Sequence, residues 1–335
     1  MLQKLNRLAA ILLLCTLILT LSGCAENPKS TQNGINIVTT NFALYDFASA
    51  VCGENDSVIM LLPPGAESHD YEVTLKDMAV LEKCDLLFFV GGESEQWVHD
   101  ALHTLEEHNS NPHALSALDV LHDADKLLCE ENVNTMTPEE SHDHDHDHHH
   151  SAEDYAGMDE HVWTSIPNAL LLMDALDDTL AALNENHSKD HHKDYAASLS
   201  ALDEKFRTLT ENTPDPRIIV ADRFPFLYMA KEYGIGYYAA FTGCASDTEP
   251  SVAVVDALIR QTEETGTKTL FVIEFSNRRT AEMIAAETGA QIAELHSCHN
   301  VSAEDFAAGI TYLGLMEQNY NALAAAWETA NRTQD

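Results

Sequence analysis

Eighteen histidines and 55 carboxylate side chains stand in a chain of 335 residues, and their spacing points to divalent-cation chemistry. The densest group is the run at 141–150. There His142, His144, His146, His148, His149 and His150 are interleaved with Asp143, Asp145 and Asp147. Neutral imidazole suits zinc, copper and nickel better than manganese, which prefers oxygen. A flexible segment loses conformational entropy when it closes on an ion, so such a run holds zinc more weakly than a preformed cleft. It reads as a low-affinity collector, with a functionless solvated tract as the alternative. Other candidate ligands each follow a candidate strand: Glu67, His69 and Asp70 after 57–62, Asp222 after 217–220, and Glu274 after 269–273. His296 follows 291–295, with His299 close behind, and His161 stands where a long loop re-enters ordered chain in DEHVW.

The elements that must position these groups alternate between short β-rich runs and amphipathic helical stretches, which is the pattern of parallel α/β sheets. Strands are expected at 35–40, 57–62, 85–90 and, more weakly, 114–120, with helices such as 75–83 and 95–107 between them. Periodicity is lost over 122–160, and a loop that long is either functional or disordered. Helical pattern resumes at Pro167. In a later stretch Tyr195, Leu199, Leu202, Phe206 and Leu209 share one helical face. That stretch reads as a rigid connector at 185–213, or else as one more packing helix. Strands at 217–220, 236–241, 269–273 and 291–295 follow, with helices at 226–232, 252–264, 279–287 and 303–329. The expected fold is therefore α/β. Two lobes, 35–184 and 214–335, each carry a mostly parallel four-stranded sheet flanked by helices. Ligands of open α/β sheets gather beyond the carboxyl ends of the strands. Both lobes place His and carboxylate groups there, so a cleft between them suits one divalent cation.

Composition narrows the partners. With 18 Lys and Arg against 55 acidic residues the formal charge is −37, and −39 without residues 1–23. Nucleic acid is excluded as a partner, because phosphate binding needs clustered cations. The N-terminus combines Lys4 and Arg7 with an apolar run at 8–21, too short for a stable membrane span. Leu21-Ser22-Gly23-Cys24 resembles the lipobox of bacterial lipoproteins. The resemblance implies a signal peptide at 1–23, lipid on Cys24 and a flexible tether at 24–34, with an ordinary signal peptide as the alternative. Localisation is then extracytoplasmic, anchored to the cell membrane by lipid. Cys52, Cys84, Cys129, Cys244 and Cys298 form no CxxC pair. Cys52 with Cys84 and Cys244 with Cys298 are candidate disulfides whose connectivity the sequence leaves open.

An enzyme reading starts from His99-Asp100-Ala101-Leu102-His103, close to the zinc-protease pattern His-Glu-x-x-His on a helix. Aspartate is one methylene shorter than glutamate and reaches a metal-bound water poorly as general base. His187 and His191 repeat the spacing by themselves. A metallohydrolase is therefore the remote alternative, and no catalytic residue is assigned.

Several blocks carry a family resemblance: LPPGAESHDYEVTLKDMAVLEKCDLLFFVGGESEQWV at 62–98, DEHVWTSIPNA at 159–169 and GCASDTEPSVAVVDALI at 243–259. FVIEFSNRRTAEMIAAETGA at 271–290 and ITYLGLMEQNYNAL at 310–323 extend it over the chain from Ile35 onward. In order and spacing they resemble the zinc/manganese class of substrate-binding lipoproteins of ABC transporters. The resemblance implies a non-enzymatic receptor, acting as a monomer, that binds Zn2+ (Mn2+ less well) and passes it to a membrane permease and its ATPase. It further implies His69 as first ligand and His161 as second, with His296 as fourth. The family's third ligand is a His or Glu opening a helix. Here that segment is ADRFPFLYMAKEYG at 221–234, which offers Arg223, unable to ligate a cation, or Asp222. Asp222 has other readings, an ion pair with Arg223 or a helix cap. Glu274 is implied as a carboxylate at or behind the ion, or else it pairs with Arg278 or Arg279, and His299 is an alternative to His296. Surface adhesion or extracellular metal buffering is the second class of function.

Overall fold

The computed structural model describes residues 34–67, 71–130, 155–243 and 249–332, with side chains to 328. The expected signal peptide, Cys24, the tether, His69, the histidine run and Cys244 lie outside them. Two sheets are present, each of four strands and parallel throughout. The first runs β1 (Asn36–Thr39), β2 (Ser57–Met60), β3 (Leu86–Phe89) and β4 (His113–Ser116), in spatial order β2-β1-β3-β4. The second, β5 (Arg217–Phe224), β6 (Gly236–Thr242), β7 (Thr269–Val272) and β8 (Gln291–Glu294), has the same order, β6-β5-β7-β8. Parallel sheets are covered on both faces, so their central strands are continuous apolar runs rather than alternating ones. LLFF of β3 and TLFV of β7 are buried at every position. In both sheets the chain order reverses beside the first strand. The crevices between β1 and β3 and between β5 and β7 are therefore where a ligand is expected.

Helices cover the sheets and start where the sequence caps them. Asn41 caps α1 (Phe42–Val51) through Leu44 N–H, and Thr74 with Asp77 forms a capping box on α2 (Leu75–Leu81). α3 (Gln96–Glu107) follows a 3-10 turn at Glu93–Glu95. The expected strand at 114–120 ends early. Ser116 accepts from Asp119 N–H and turns the chain into α4 (Ala117–Asp123), whose Ala and Leu residues favour the helix once it is capped. Ser165 caps α5 (Ile166–Leu183), with Pro167 in its first turn. α6 (Lys193–Glu211) buries Leu199, Leu202 and Phe206 against α5 and the helices of the second half. These are α7 (Leu227–Tyr233), α8 (Val252–Thr265), α9 (Arg279–Thr288), α10 (Ala303–Ala308) and α11 (Tyr312–Arg332). The expected helix at 303–329 is thus two helices. Gly309, at φ 75°, ends the first in a left-handed cap that only glycine adopts cheaply.

The sheets share one apolar core that runs from Ile35 through Trp163 and Phe206 to Trp327, within a compact unit spanning Ile35–Asp335. Cys52 borders this core, whereas Cys84 lies in a separate cluster on the other side of the first sheet, with its Sγ directed to Leu81 O at 3.2 Å. Both thiols are free, as is Cys298, so the Cys52–Cys84 and Cys244–Cys298 pairings are corrected: the sheet separates the first two. No described helix is long and apolar enough to cross a membrane.

Candidate metal centre

His161 is 2 % exposed, at the turn that leads into α5. Asp159 fixes it from two residues away: one carboxylate oxygen accepts the His161 backbone N–H at 2.8 Å and stands 3.2 Å from Nδ1. A proton on Nδ1 leaves the imidazole lone pair on Nε2, the arrangement that metal-binding histidines adopt. Asp159 is held in turn by Tyr228, whose hydroxyl donates to its carbonyl at 3.0 Å. The ring of His161 meets that of His299 edge-on at 5.5 Å, and Trp163 packs against both. Gly243 closes the other side. A Cβ there would stand 3.1 Å from His161 Nδ1 and 3.0 Å from Phe224 O, so the backbone passes where no side chain fits.

His161, His299 and Gly243 line a cavity of about 30 Å³ with Ala66, Glu67, Arg223, Glu274, Ser297 and Asn300. An adjoining cavity of about 180 Å³ shares Glu67, Arg223 and Glu274 and adds Asp222, Ser276 and Arg278. Apart from His161, which comes from the turn before α5, the lining comes from the carboxyl ends of β5, β6, β7 and β8 and from the loop after β2, at the crevice the topology singles out. β5 continues past the expected 217–220. Its register against β6 shifts between Val220 and Arg223, an irregularity that turns Asp222 and Arg223 towards the cavities. Phe275, Arg278 and Cys298 flank the site at φ 60–62°, three of the five non-glycine residues with positive φ among those described. Such strain persists only where surrounding structure holds it.

The expected ligands separate on this frame. His161 and Glu274 line the smaller cavity and Asp222 the larger. His299 rather than His296 faces His161. His296 lies outside both cavities; its Nδ1 accepts the Cys298 N–H at 2.9 Å, and its own N–H donates to Asn319. His69 lies outside the described residues, but Ala66 and Glu67, just before it, line the cavity. Asp222 neither pairs with the Arg223 side chain nor caps a helix. It accepts Arg223 N–H at 2.8 Å and the Ser276 hydroxyl, and burial raises its pKa against both. Glu274 accepts Ser297 N–H at 2.8 Å and the Ser297 hydroxyl, while Arg278 goes to Glu294 and Arg279 to Glu249. Arg223 reaches across to Glu67, Nη1 to Oε1 at 3.2 Å. Among the described residues, which leave out His69, no three His, Cys, Asp or Glu groups stand together as a cation cage. Nothing in the residue pattern signals Asp159 as orienter, Gly243 or the Glu67–Arg223 pair, which depend on local turns and on contacts between distant segments. His99 packs edge-on against Phe89 and His103 is exposed, and neither lines these cavities.

The family model described as "Zinc-uptake complex component A periplasmic" matches residues 37–326. Among curated relatives, the high-affinity zinc uptake system protein ZnuA of Bacillus subtilis is 28 % identical over 92 % of this chain and 93 % of its own length. The zinc-binding lipoprotein AdcA of Streptococcus pneumoniae is 27 % identical over 92 % of this chain, which spans only 58 % of that longer protein. Among solved structures, the Zn(II)-bound ZnuA-like domain of Streptococcus pneumoniae AdcA superposes with a TM-score of 0.69 at 23 % identity, over 88 % of this chain and 99 % of that one. The periplasmic zinc-binding protein TroA of Treponema pallidum gives 0.68 at 17 % identity over 88 % and 99 %. At such identities the structural likeness speaks for the fold.

Proposed function

This chain belongs to the zinc-uptake complex component A family, and from that premise we propose that it binds one zinc ion between its two lobes and delivers it to a membrane ABC permease with its ATPase. The carrying observation is the buried His161, oriented by Asp159 and facing His299 across a cavity of about 30 Å³. Room for little more than one water-sized body suits a bare cation rather than an organic solute. Imidazole nitrogens with a carboxylate oxygen form an ordinary zinc ligand set. In this reading His161 and His299 bind with His69 from the adjoining loop, and His296 is the alternative to His299. Asp222 supplies the carboxylate oxygen, or Glu274 does so in its place, and the pair keeps the local charge negative. No bond is made or broken, so the role is that of a receptor and not an enzyme.

The remaining assignments complete the proposal. Residues 1–23 act as a lipoprotein signal, Cys24 as the lipid anchor and 24–34 as a tether holding a monomer outside the cell membrane. Residues 185–213 connect lobes 35–184 and 214–335, and the histidine run at 142–150 within 122–160 collects zinc at low affinity. Calorimetric titration of the soluble chain with zinc tests the centre. Native protein is expected to bind one ion tighter than micromolar, and His69→Ala with His161→Ala to lose that event. Deleting 142–150 should remove weak binding only. Tight binding that survives the double substitution, or that vanishes with the run, contradicts the assignment.

A further inference from the structure

The cavity already contains a cation. Arg223 lines both cavities, and its guanidinium pairs with Glu67, which lines both as well. Its side chain is only 16 % exposed, and it binds Glu67, which is 41 % exposed, from a segment 156 positions away. A guanidinium stays protonated and has no lone pair to offer a metal. It therefore acts on an incoming dication in two ways: it repels the ion, and it occupies the carboxylate beside it. The other carboxylate of the smaller cavity, Glu274, is already bound by the Ser297 N–H and hydroxyl. Glu67 is different, since its partner here is a single flexible side chain and its loop is half exposed.

We propose that Glu67 is a further zinc ligand held in reserve by Arg223, and that ion and guanidinium exchange over this one carboxylate. On loading, Glu67 turns from Arg223 to the ion, and the guanidinium swings into the adjoining cavity of about 180 Å³, beside the carboxylate of Asp222. On unloading, Arg223 takes Glu67 back, so the protein itself competes for a ligand and zinc leaves faster than a fixed cage would allow. Arg223 thus sets affinity and release without touching the ion. The exchange rests on the cleft being the zinc site, and its test separates the two claims. Absence of tight zinc binding by the native chain fails that site, whereas the comparison among variants below fails only the exchange.

The experiment is a cycle of Arg223→Gln, Glu67→Gln and the double variant in the full soluble chain. Zinc affinity is read by competition with a fluorescent chelator, and release by stopped flow into excess chelator. Removing the competing guanidinium should tighten zinc binding by about tenfold in Arg223→Gln and slow release by a similar factor. Glu67→Gln should cost more in the Arg223→Gln background than beside the native Arg223, because only there is the carboxylate uncontested. Arg223→Lys retains the charge and should stay near native affinity, which separates competition from lost packing. Melting of the zinc-free variants shows whether each is folded. Unchanged or weaker binding by a folded Arg223→Gln, equal costs of Glu67→Gln in both backgrounds, or an Arg223→Lys variant that behaves like Arg223→Gln overturns the exchange.

Discussion

Two histidines three positions apart compete for one role, and hydrogen bonding separates them. His296 Nδ1 accepts a backbone N–H at 2.9 Å, so the neutral ring carries its proton on Nε2 and has no lone pair left for an ion. His299 faces the His161 ring across the cavity, with Trp163 packed against both. His299→Ala is therefore expected to weaken zinc binding by about 100-fold or more, and His296→Ala by less than about tenfold, because only the first removes a donor. Calorimetry on the two variants decides it, and the reverse ranking would return the role to His296. The sequence offered both residues because 296–300 belongs to no regular element. Cys298, at φ 62°, turns the chain between them, and no periodicity records such a turn. His161 was legible as a candidate, since it stands where the sequence pattern returns after a long aperiodic stretch. The Asp159 contact that sets its tautomer was not.

Among elements, the turn after β3 holds the chain leading into His161. Glu95, in the 3-10 turn, accepts the Val90 N–H at 2.6 Å and the Gly91 N–H at 3.2 Å, while Glu160 accepts from Ser94 N–H at 2.9 Å. Burial, reinforced by the nearby charge of Glu160, pushes the Glu95 pKa up to about 7. A carboxyl with a raised folded-state pKa binds its proton more tightly in the folded chain than in the unfolded one. Its contribution is complete below the unfolded value near 4.5 and is lost as pH rises through about 7. Native protein should lose on the order of 1–3 kcal/mol of stability across that window, and Glu95→Gln should flatten the loss. Urea unfolding at pH 4.5, 6 and 8 checks this, and equal slopes for both proteins would remove Glu95 as the cause. The central strands β3 and β7 were legible because buried parallel strands are near-continuous apolar runs. The ends of β4 and α10 were not, because the Ser116 cap and the left-handed Gly309 override the pattern around them.

For the whole molecule, the alternation of strand and helix revealed two parallel sheets but not how firmly they are joined. Backbone bonds cross between the halves at the site itself: Phe42 N–H donates to His299 O at 3.0 Å, and Gly65 N–H to Val301 O at 2.8 Å. Asn300 Nδ2 reaches the carbonyls of Pro63 and Ala66, both at 2.8 Å, and Trp163 Nε1 reaches Ser297 O at 2.8 Å. Away from the cavity, Asp46 of α1 accepts from Tyr312 N–H at 2.9 Å and from the Tyr195 hydroxyl of α6. A wide hinge opening would break several of these at once and expose core shared by both sheets. Zinc entry and release must then proceed through side-chain and loop movement, the scale of the Glu67–Arg223 pair. Phe42 N–H reports on this directly, because it lies in the first turn of α1, where a helix supplies its own amides with no acceptor. Both it and the Gly65 N–H should exchange with deuterium slowly in zinc-free protein and change by less than about tenfold on zinc binding. Fast exchange at both amides without zinc, and protection only with it, would show that the lobes part.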